Sequence, residues 1–493
     1  MKATKAVNPL QRPVVGRLIL SIFAAAFVLA LAGCANKHVP ANGAEVPRDR
    51  PNIIFVMVDD MGWNDLGYQG SEILTPNIDE LAASGLKLNR MYAYPICSPT
   101  RAALMTGQNP IRYGVDGPME NDAQLDASLT LLPEYLKAEG YDTWLVGKWH
   151  LGMGDVAAMP QNRGFDHFYG HLGGFIDFYT HVYFGGLDWQ RNGTSVREEG
   201  FATQLLTNEA IKLISEGRSD NPFFMFLSYN APHTPLQYPP STPEDYSEIA
   251  DADRRVYAQM MSNLDEDLGR LRSTLQSEGI QEDTLIVFMS DNGGNVEAGA
   301  HNGDLRGSKG DVLEGGVRVP AFIVWPGQIE PGQVSDQPVF VQDWLPTLIT
   351  IAGGEQPLGL EGQNVWPALP SDERSQDSIP VIVGTEKQKA VFDWPYKLIQ
   401  ANGHDGEHQL FNVVADPRET TDLAAQYPQK VEELIALIAE LPVSESKAAR
   451  GPPPEALFRD EAGEFIHDIR KPETRKPWAE SAIGARSMGA VEE

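Results

Sequence analysis

Apolar runs of strand length, at 53–58, 143–146, 223–229, 285–290 and 321–325, alternate along the chain with stretches whose apolar residues recur at helical spacing. The helical stretches are 77–84, closed by Gly85, 131–139, closed by Gly140, 201–215, and a long one at 252–277 stopped by Gly279. This alternation predicts an α/β fold with a large, mostly parallel central sheet flanked by helices. After residue 372 the texture changes to short alternating strands at 381–384, 389–392, 397–400 and 408–412, followed by a helix at 428–439. That pattern predicts a smaller C-terminal α+β subdomain, an antiparallel sheet plus a helix. No internal repeat is present.

The residues just past the carboxyl ends of the buried strands are more informative than the strands themselves. The first strand runs into Asp59-Asp60, and the second into Gly147-Lys148-Trp149-His150. The third leads to Asn230-Ala231-Pro232-His233, and the fourth to Asp291-Asn292-Gly293-Gly294. In an open α/β sheet, ligands sit beyond the carboxyl ends of the strands, so four polar clusters at four such ends can converge on one pocket. Asp59, Asp60, Asp291 and Asn292 offer only oxygen ligands, which suit a hard cation, Ca²⁺ or Mg²⁺, rather than Zn²⁺. Taken alone, Asp-Asp reads as a helix cap or solvated turn, and Asp-Asn-Gly-Gly as a turn. Together, each after a core strand, they point to metal, because paired carboxylates repel and lose hydration unless a cation neutralises them.

Cys97 stands at the start of a helical stretch. Ser98 can cap, Pro99 fits the first helical position, and 100–106 continue as a helix up to Gly107. Amide groups at a helix start favour negative charge, and Arg101 in the first turn can reach back. These facts leave two readings open, a buried inert cysteine and a reactive thiolate of low pKa.

Composition narrows the choice of partners. The chain has 493 residues, 42% of them hydrophobic, enough for a sizeable core and more than one domain. A formal net charge of −29 without a basic run excludes a nucleic-acid partner, and any anionic substrate must meet a local positive pocket. Lys2, Lys5, Arg12 and Arg17 precede an apolar stretch at 18–31, too short and wrongly flanked for a spanning helix, and Leu31-Ala32-Gly33-Cys34 resembles a bacterial lipobox. The expected organisation is a lipoprotein signal peptide over 1–33, lipidated Cys34 and a tether over 34–50, a catalytic domain over 51–372, a C-terminal subdomain over 373–442 and an extended tail over 443–493. The membrane is then contacted through the lipid anchor only, and the expected place is the outer membrane of an exporting bacterium, on its periplasmic or surface face. Cys34 and Cys97 are the only cysteines, so acylation of Cys34 leaves no intramolecular disulfide.

Tyr94-Pro-Ile-Cys-Ser-Pro-Thr-Arg-Ala-Ala-Leu-Met-Thr-Gly107 resembles the signature of the type I, formylglycine-dependent sulfatases of the alkaline phosphatase superfamily. The Cys-x-Pro-x-Arg core of that signature directs oxidation of the cysteine. Asp59-Asp60-Met-Gly-Trp-Asn-Asp-Leu-Gly67, Gly147-Lys-Trp-His-Leu-Gly152, Leu305-Arg-Gly-Ser-Lys309 and Glu314-Gly-Gly-Val-Arg318 are similar to the family's other motifs, in the expected order. Trp63-Asn64-Asp65 and Gly164-Phe-Asp166 lean toward its arylsulfatase B-like branch. Two positions depart from the pattern. Gln108 stands where the extended signature often has Arg, and Asp304 where relatives commonly carry Pro.

The resemblance implies that Cys97, converted to formylglycine by a maturation enzyme and hydrated, attacks sulfur while Arg101 and the cation orient it. The second hydroxyl then gives its proton to His150 and sulfate is expelled; a plain serine would form an ester with no such exit. Lys148, His233 and Lys309 would bind the sulfate, with His233 or Lys309 protonating the leaving alcohol. The metal set would be Asp59, Asp60, residue 97, Asp291 and Asn292, with Ca²⁺ usual and Mg²⁺ the alternative. Arg306 and His301 are candidates for the pocket mouth, and His171, His181, Tyr179, Tyr183 and Trp189 are candidates to touch a sugar, against a packing reading of the stretch 165–189. The expected substrate is a sulfated carbohydrate, an oligosaccharide or polysaccharide end. The alternatives are hydrolysis of phosphonate monoesters or phosphodiesters by the same nucleophile, and an unmatured homologue that only binds glycan at the surface.

Overall fold

The computed structural model describes residues 50–442 except 120–122, 154, 184–185, 243–244, 370–378 and 401–407. The described residues all belong to one compact unit. The expected signal peptide, Cys34, nearly all of the tether, the boundary at 372 and the tail from 443 therefore fall outside the described residues. Among those described, no helix is long and apolar enough to cross a membrane.

A ten-stranded mixed sheet dominates the chain. Its strands are β1 (Asn52–Val58), β2 (Leu86–Leu88), β3 (Asp142–Lys148), β4 (His167–His171), β5 (Gln190–Arg191), β6 (Thr194–Ser195), β7 (Phe223–Ser228), β8 (Thr284–Ser290), β9 (Ala321–Val324) and β10 (Gln333–Ser335). Across the sheet the order is β10-β2-β9-β8-β1-β7-β3-β4-β5-β6. The strands that carry the polar clusters, β8, β1, β7 and β3, are thus four consecutive neighbours, and all their pairings are parallel. Register sets Met57 beside Ser228 and Met289, and Ser228 beside Gly147, so the four carboxyl ends lie level. These strands read as unbroken apolar runs because helices cover both faces; Ile53 to Val58 have essentially no exposed surface. The run expected at 321–325 is β9, and it pairs antiparallel with β8.

The helices that matter for the site are α1 (Pro76–Ala83), α2 (Cys97–Thr106), α3 (Leu132–Ala138), α4 (Ala202–Glu216) and α5 (Ala252–Ser277). Asp251 caps α5 by accepting from Arg254 N at 2.8 Å, and Gly279, at φ +69°, follows its end. Helix α2 starts earlier than Ser98 as cap would require. Ile96, in extended conformation, is its cap, and Thr100 N donates to Ile96 O at 3.3 Å. Ser98 Oγ is committed elsewhere, donating to His150 O at 3.1 Å and accepting from Met119 N at 2.9 Å.

The C-terminal part is an antiparallel meander of β11 (Val381–Gly384), β12 (Lys389–Asp393), β13 (Tyr396–Gln400) and β14 (Gln409–Asn412), with a helix at Pro428–Glu440. Its strands alternate. Ile382, Val391, Leu398 and Leu410 pack with Leu434 and Ile438 of that helix, whereas Val383, Ala390, Phe392, Ile399 and Phe411 join the main core. Both faces of the meander are thus occupied, and on the inner one Phe392 packs against Tyr92 and Phe340.

Candidate active site

The level carboxyl ends of β8, β1, β7 and β3 bring the expected residues together. Asp59 and Asp60 leave β1, Asp291 and Asn292 leave β8, and Lys148 is the last residue of β3 with His150 two positions on. His233 follows β7, and Lys309 comes from the loop after β8. Gly147, at φ +118°, has no room for a side chain, since a Cβ there would lie 1.8 Å from Ser228 O. This close approach of β3 to β7 directs the following lysine into the cluster.

Three buried carboxylates meet three cations. Lys148 Nζ is 2.6 Å from Asp59 Oδ2, and Arg101 donates to Asp291 Oδ2 at 2.9 Å, with no exposed side-chain surface on any of the four. Lys309 Nζ is 2.8 Å from the Asp60 carboxylate. Asn292 Nδ2 donates to Asp60 Oδ1 at 2.8 Å, and His233 Nε2 stands 3.6 Å from Asp60 Oδ2. Arg101 also donates to Lys148 O at 3.1 Å and to Ser228 Oγ. Ser228 is a site residue that its apolar strand did not signal.

The electrostatics follow from burial and these pairings. Burial, with Asp291 nearby, pushes the Asp59 carboxyl up to about 8 although Lys148 opposes it. Burial would raise Asp60 as well, but Lys309, His233 and the Asn292 amide outweigh it and hold that carboxyl below the usual range. His150 is held well below the ordinary imidazole range by burial and by the charges of Lys148 and Arg101. Its Nδ1 lies 3.3 Å from Cys97 Sγ. The Cys97 thiol is pushed up by burial more than Lys148 and Lys309 pull it down. Of the two readings its helix-start position left open, the low-pKa thiolate is therefore not what the fold provides.

The donor set fits a hard cation. One ligand atom each from Asp59, Cys97 and Asp291 lie within 4.8 Å of one another, and so do atoms of Asp59, Asp60 and His233. Asp59 Oδ1 and Asn292 Oδ1 are buried without a hydrogen-bond partner. Leaving such an acceptor unsatisfied costs about 1–3 kcal/mol, more for a charge, and a cation bound there would relieve it.

Other expected residues lie further out. His301 is exposed, with its amide on Asp65, and Arg306 is exposed and donates to Glu419 O. Asp304 pairs with Arg418 of the C-terminal part. Gln108 accepts a hydrogen bond from Tyr113 OH. The aromatic stretch serves packing. Trp189 has no exposed surface, donates to Glu198 at 2.7 Å and stacks on His181 at 4.5 Å between ring centres, so it presents no face to a sugar. His171 and His181 are likewise buried, Tyr179 OH donates to Tyr238 O at 2.8 Å, and Tyr183 meets Phe175 edge-on at 5.2 Å. Phe175 also stacks flat over His233, at 6.1 Å and 4° between ring planes.

A family model described as Sulfatase matches residues 51–354, and one described as N-sulphoglucosamine sulphohydrolase, C-terminal, matches 308–443. The chain belongs to the sulfatase family. This sulfatase is 34% identical to mouse (Mus musculus) arylsulfatase J over 79% of its own length and 75% of that protein. It is also 34% identical to human (Homo sapiens) N-acetylgalactosamine-6-sulfatase, over 67% of each chain. Among solved structures, Ps i-CgsB in complex with k-i-k-neocarrahexaose superimposes with a TM-score of 0.76 at 31% identity, covering 82% of this sulfatase and 95% of that chain. The sulfatase is thus a sulfuric ester hydrolase of the alkaline phosphatase superfamily.

Proposed function

We propose that this sulfatase removes sulfate from sulfated carbohydrate, with Cys97 oxidised to formylglycine as its nucleophile and Ca²⁺ as its cation. The carrying observation is the placement of Asp59, Cys97 and Asp291 ligand atoms within 4.8 Å of one another, beside the unpartnered acceptors Asp59 Oδ1 and Asn292 Oδ1. Asp59, Asp60, Asp291, Asn292 and the side chain of residue 97 would hold the cation. When bound, it would supply Lewis acidity toward the sulfate oxygens and toward the nucleophile.

The protein's own groups divide the remaining work. Arg101 fixes Asp291, Ser228 and the Lys148 carbonyl around the nucleophile. His150 Nδ1, 3.3 Å from Cys97 Sγ, is in place to take a proton from residue 97. The three carboxylates are already matched by Lys148, Lys309 and Arg101, so a divalent cation turns the centre net positive, as a sulfate ester requires. Lys148, Lys309 and His233 are the sulfate-binding groups, and Lys309 and His233, both beside Asp60, can protonate the leaving alcohol.

A carbohydrate substrate is supported by the similarity to N-acetylgalactosamine-6-sulfatase and to the neocarrahexaose complex. Export and lipidation at Cys34 complete the proposal, and labelling with a radioactive fatty acid tests that part. Mass spectrometry of the Cys97 peptide from the native host tests the nucleophile, and a fully retained thiol sinks it. Assays on 4-nitrophenyl sulfate and on defined sulfated disaccharides test the substrate. Activity confined to non-carbohydrate aryl sulfates would refute the carbohydrate assignment.

A further inference from the structure

Asp188 is 5% exposed and belongs to none of the residues assigned above. Its carboxylate accepts from Leu172 N at 2.9 and 3.1 Å and from Gly173 N at 2.6 Å. The carbonyl of the same Leu172 accepts from His150 N at 3.1 Å, and His171 O accepts from Trp149 N at 3.0 Å. Segment 171–174 therefore lies between Asp188 on one side and the backbone of His150 on the other.

His150 needs such support. Its φ is +57°, a left-handed conformation that non-glycine residues adopt sparingly and that persists where the surroundings impose it. Leu172 O holds its amide, and Ser98 Oγ holds its carbonyl at 3.1 Å. The ring is bounded as well. A Cβ built on Gly174 would lie 2.7 Å from His150 Cε1 and 2.8 Å from Nε2, so the glycine backbone stands against that edge of the imidazole. Gly174 has no positive φ, and the three atoms nearest to a Cβ there all belong to the His150 ring. Gly173 is confined in the same way, with a Cβ falling 2.9 Å from the Tyr183 ring.

We infer that Asp188 is a positioning residue for sulfate-ester hydrolysis: by clamping the amides of Leu172 and Gly173 it seats Gly174 against His150 and keeps Nδ1 turned to residue 97. This rests on the proton-accepting role proposed for His150. Burial pushes the Asp188 carboxyl up to about 6 against the pull of the two amides. The clamp is therefore ionised at neutral pH.

The test is a double-mutant cycle on the matured enzyme with 4-nitrophenyl sulfate, rates being normalised to the converted fraction of Cys97. Asp188→Asn and Gly174→Ala are each made alone and in a His150→Ala background. Gly174→Ala leaves the clamp intact and presses a methyl group on the ring, testing the seat itself; if Asp188→Asn does not fold, Asp188→Glu, which keeps the charge on a longer arm, tests the clamp in its place. Each single variant is expected to lower kcat about 10- to 100-fold with little change in KM, as for a misplaced catalytic group. In the His150→Ala background neither should lower it further. A loss that persists undiminished without the imidazole, or no loss at all, overturns the inference. Wild-type turnover by His150→Ala alone would instead overturn the role of His150, and the clamp's with it.

Discussion

Lys148 Nζ and Asp59 Oδ2 stand 2.6 Å apart with no exposed surface on either side chain. Breaking a buried pair by removing one partner costs about 3–5 kcal/mol, since the remaining charge is stranded. Lys148→Met is therefore expected to lower the unfolding midpoint clearly and to reduce kcat/KM on an aryl sulfate by about 100-fold or more, given its second task at the sulfate. Denaturant melts and steady-state kinetics check both. A variant that keeps wild-type stability would show that the pair contributes nothing.

Cation removal should be visible without any assay of turnover. A ligand that binds only the folded state at a hundred times its Kd adds about 2.7 kcal/mol. The chelated protein is expected to melt earlier, with Ca²⁺ restoring the midpoint, and Asp291→Asn is expected to lose most of that response. Identical melting curves with chelator and with Ca²⁺ would count against the metal assignment.

Stability should also depend on pH through Asp265, which lies far from the reaction and accepts from Asn77 and Ile78 amides at the start of α1. Burial pushes its carboxyl up to about 6, although those hydrogen bonds oppose the rise. The folded state then holds a proton that the unfolded chain releases near pH 4. This contribution is fully present below that pH and is lost as pH rises through 6, a change of about 3 kcal/mol by linkage. Wild type should lose ground to Asp265→Asn between pH 4 and 6.5, measured by urea melts of both at each pH. A constant difference between the two would rule the effect out.

Lys397 on β13 is wholly buried between Glu314 at 3.0 Å and Glu419 at 2.9 Å. Glu314 opens the turn just after the Lys309 loop, and Glu419 Oε2 accepts from its amide at 2.8 Å. Lys397→Met should cost about 3–5 kcal/mol, and neutralising all three residues together should recover most of that loss. Thermal unfolding of the single and triple variants compares them. A triple variant no better than the single one would mean that packing, not charge, sets the effect.

Legibility in the sequence followed the range of the interaction. Helix α5 was readable because its apolar period and the Gly279 that stops it are local, whereas its cap Asp251 was not singled out. The strands before Asp59, Lys148, His233 and Asp291 were readable for the same reason, and so was their convergence. That β9 runs antiparallel to β8 was not, since direction depends on the whole crossover. The start of α2 was misplaced because Ser98 satisfies His150 and Met119, residues far along the chain. Trp189 offered a sugar platform in sequence, yet Tyr169, His181 and Glu198 enclose it. Asp188 gave no signal at all, since its partners are two backbone amides, which carry no residue identity.

The four adjacent site strands have a consequence in time. They are contributed by segments running from Asn52 to Ser290, so none of their parallel pairings can form from neighbouring stretches of chain. Closing such long loops is slow, and it precedes any reward from the contacts made. A shift of one residue in any of the four would turn its site residues to the opposite face. The cation affinity proposed for this centre should therefore arise late, as one cooperative event. Its appearance during refolding would mark the moment at which the whole centre of the sheet has found its register.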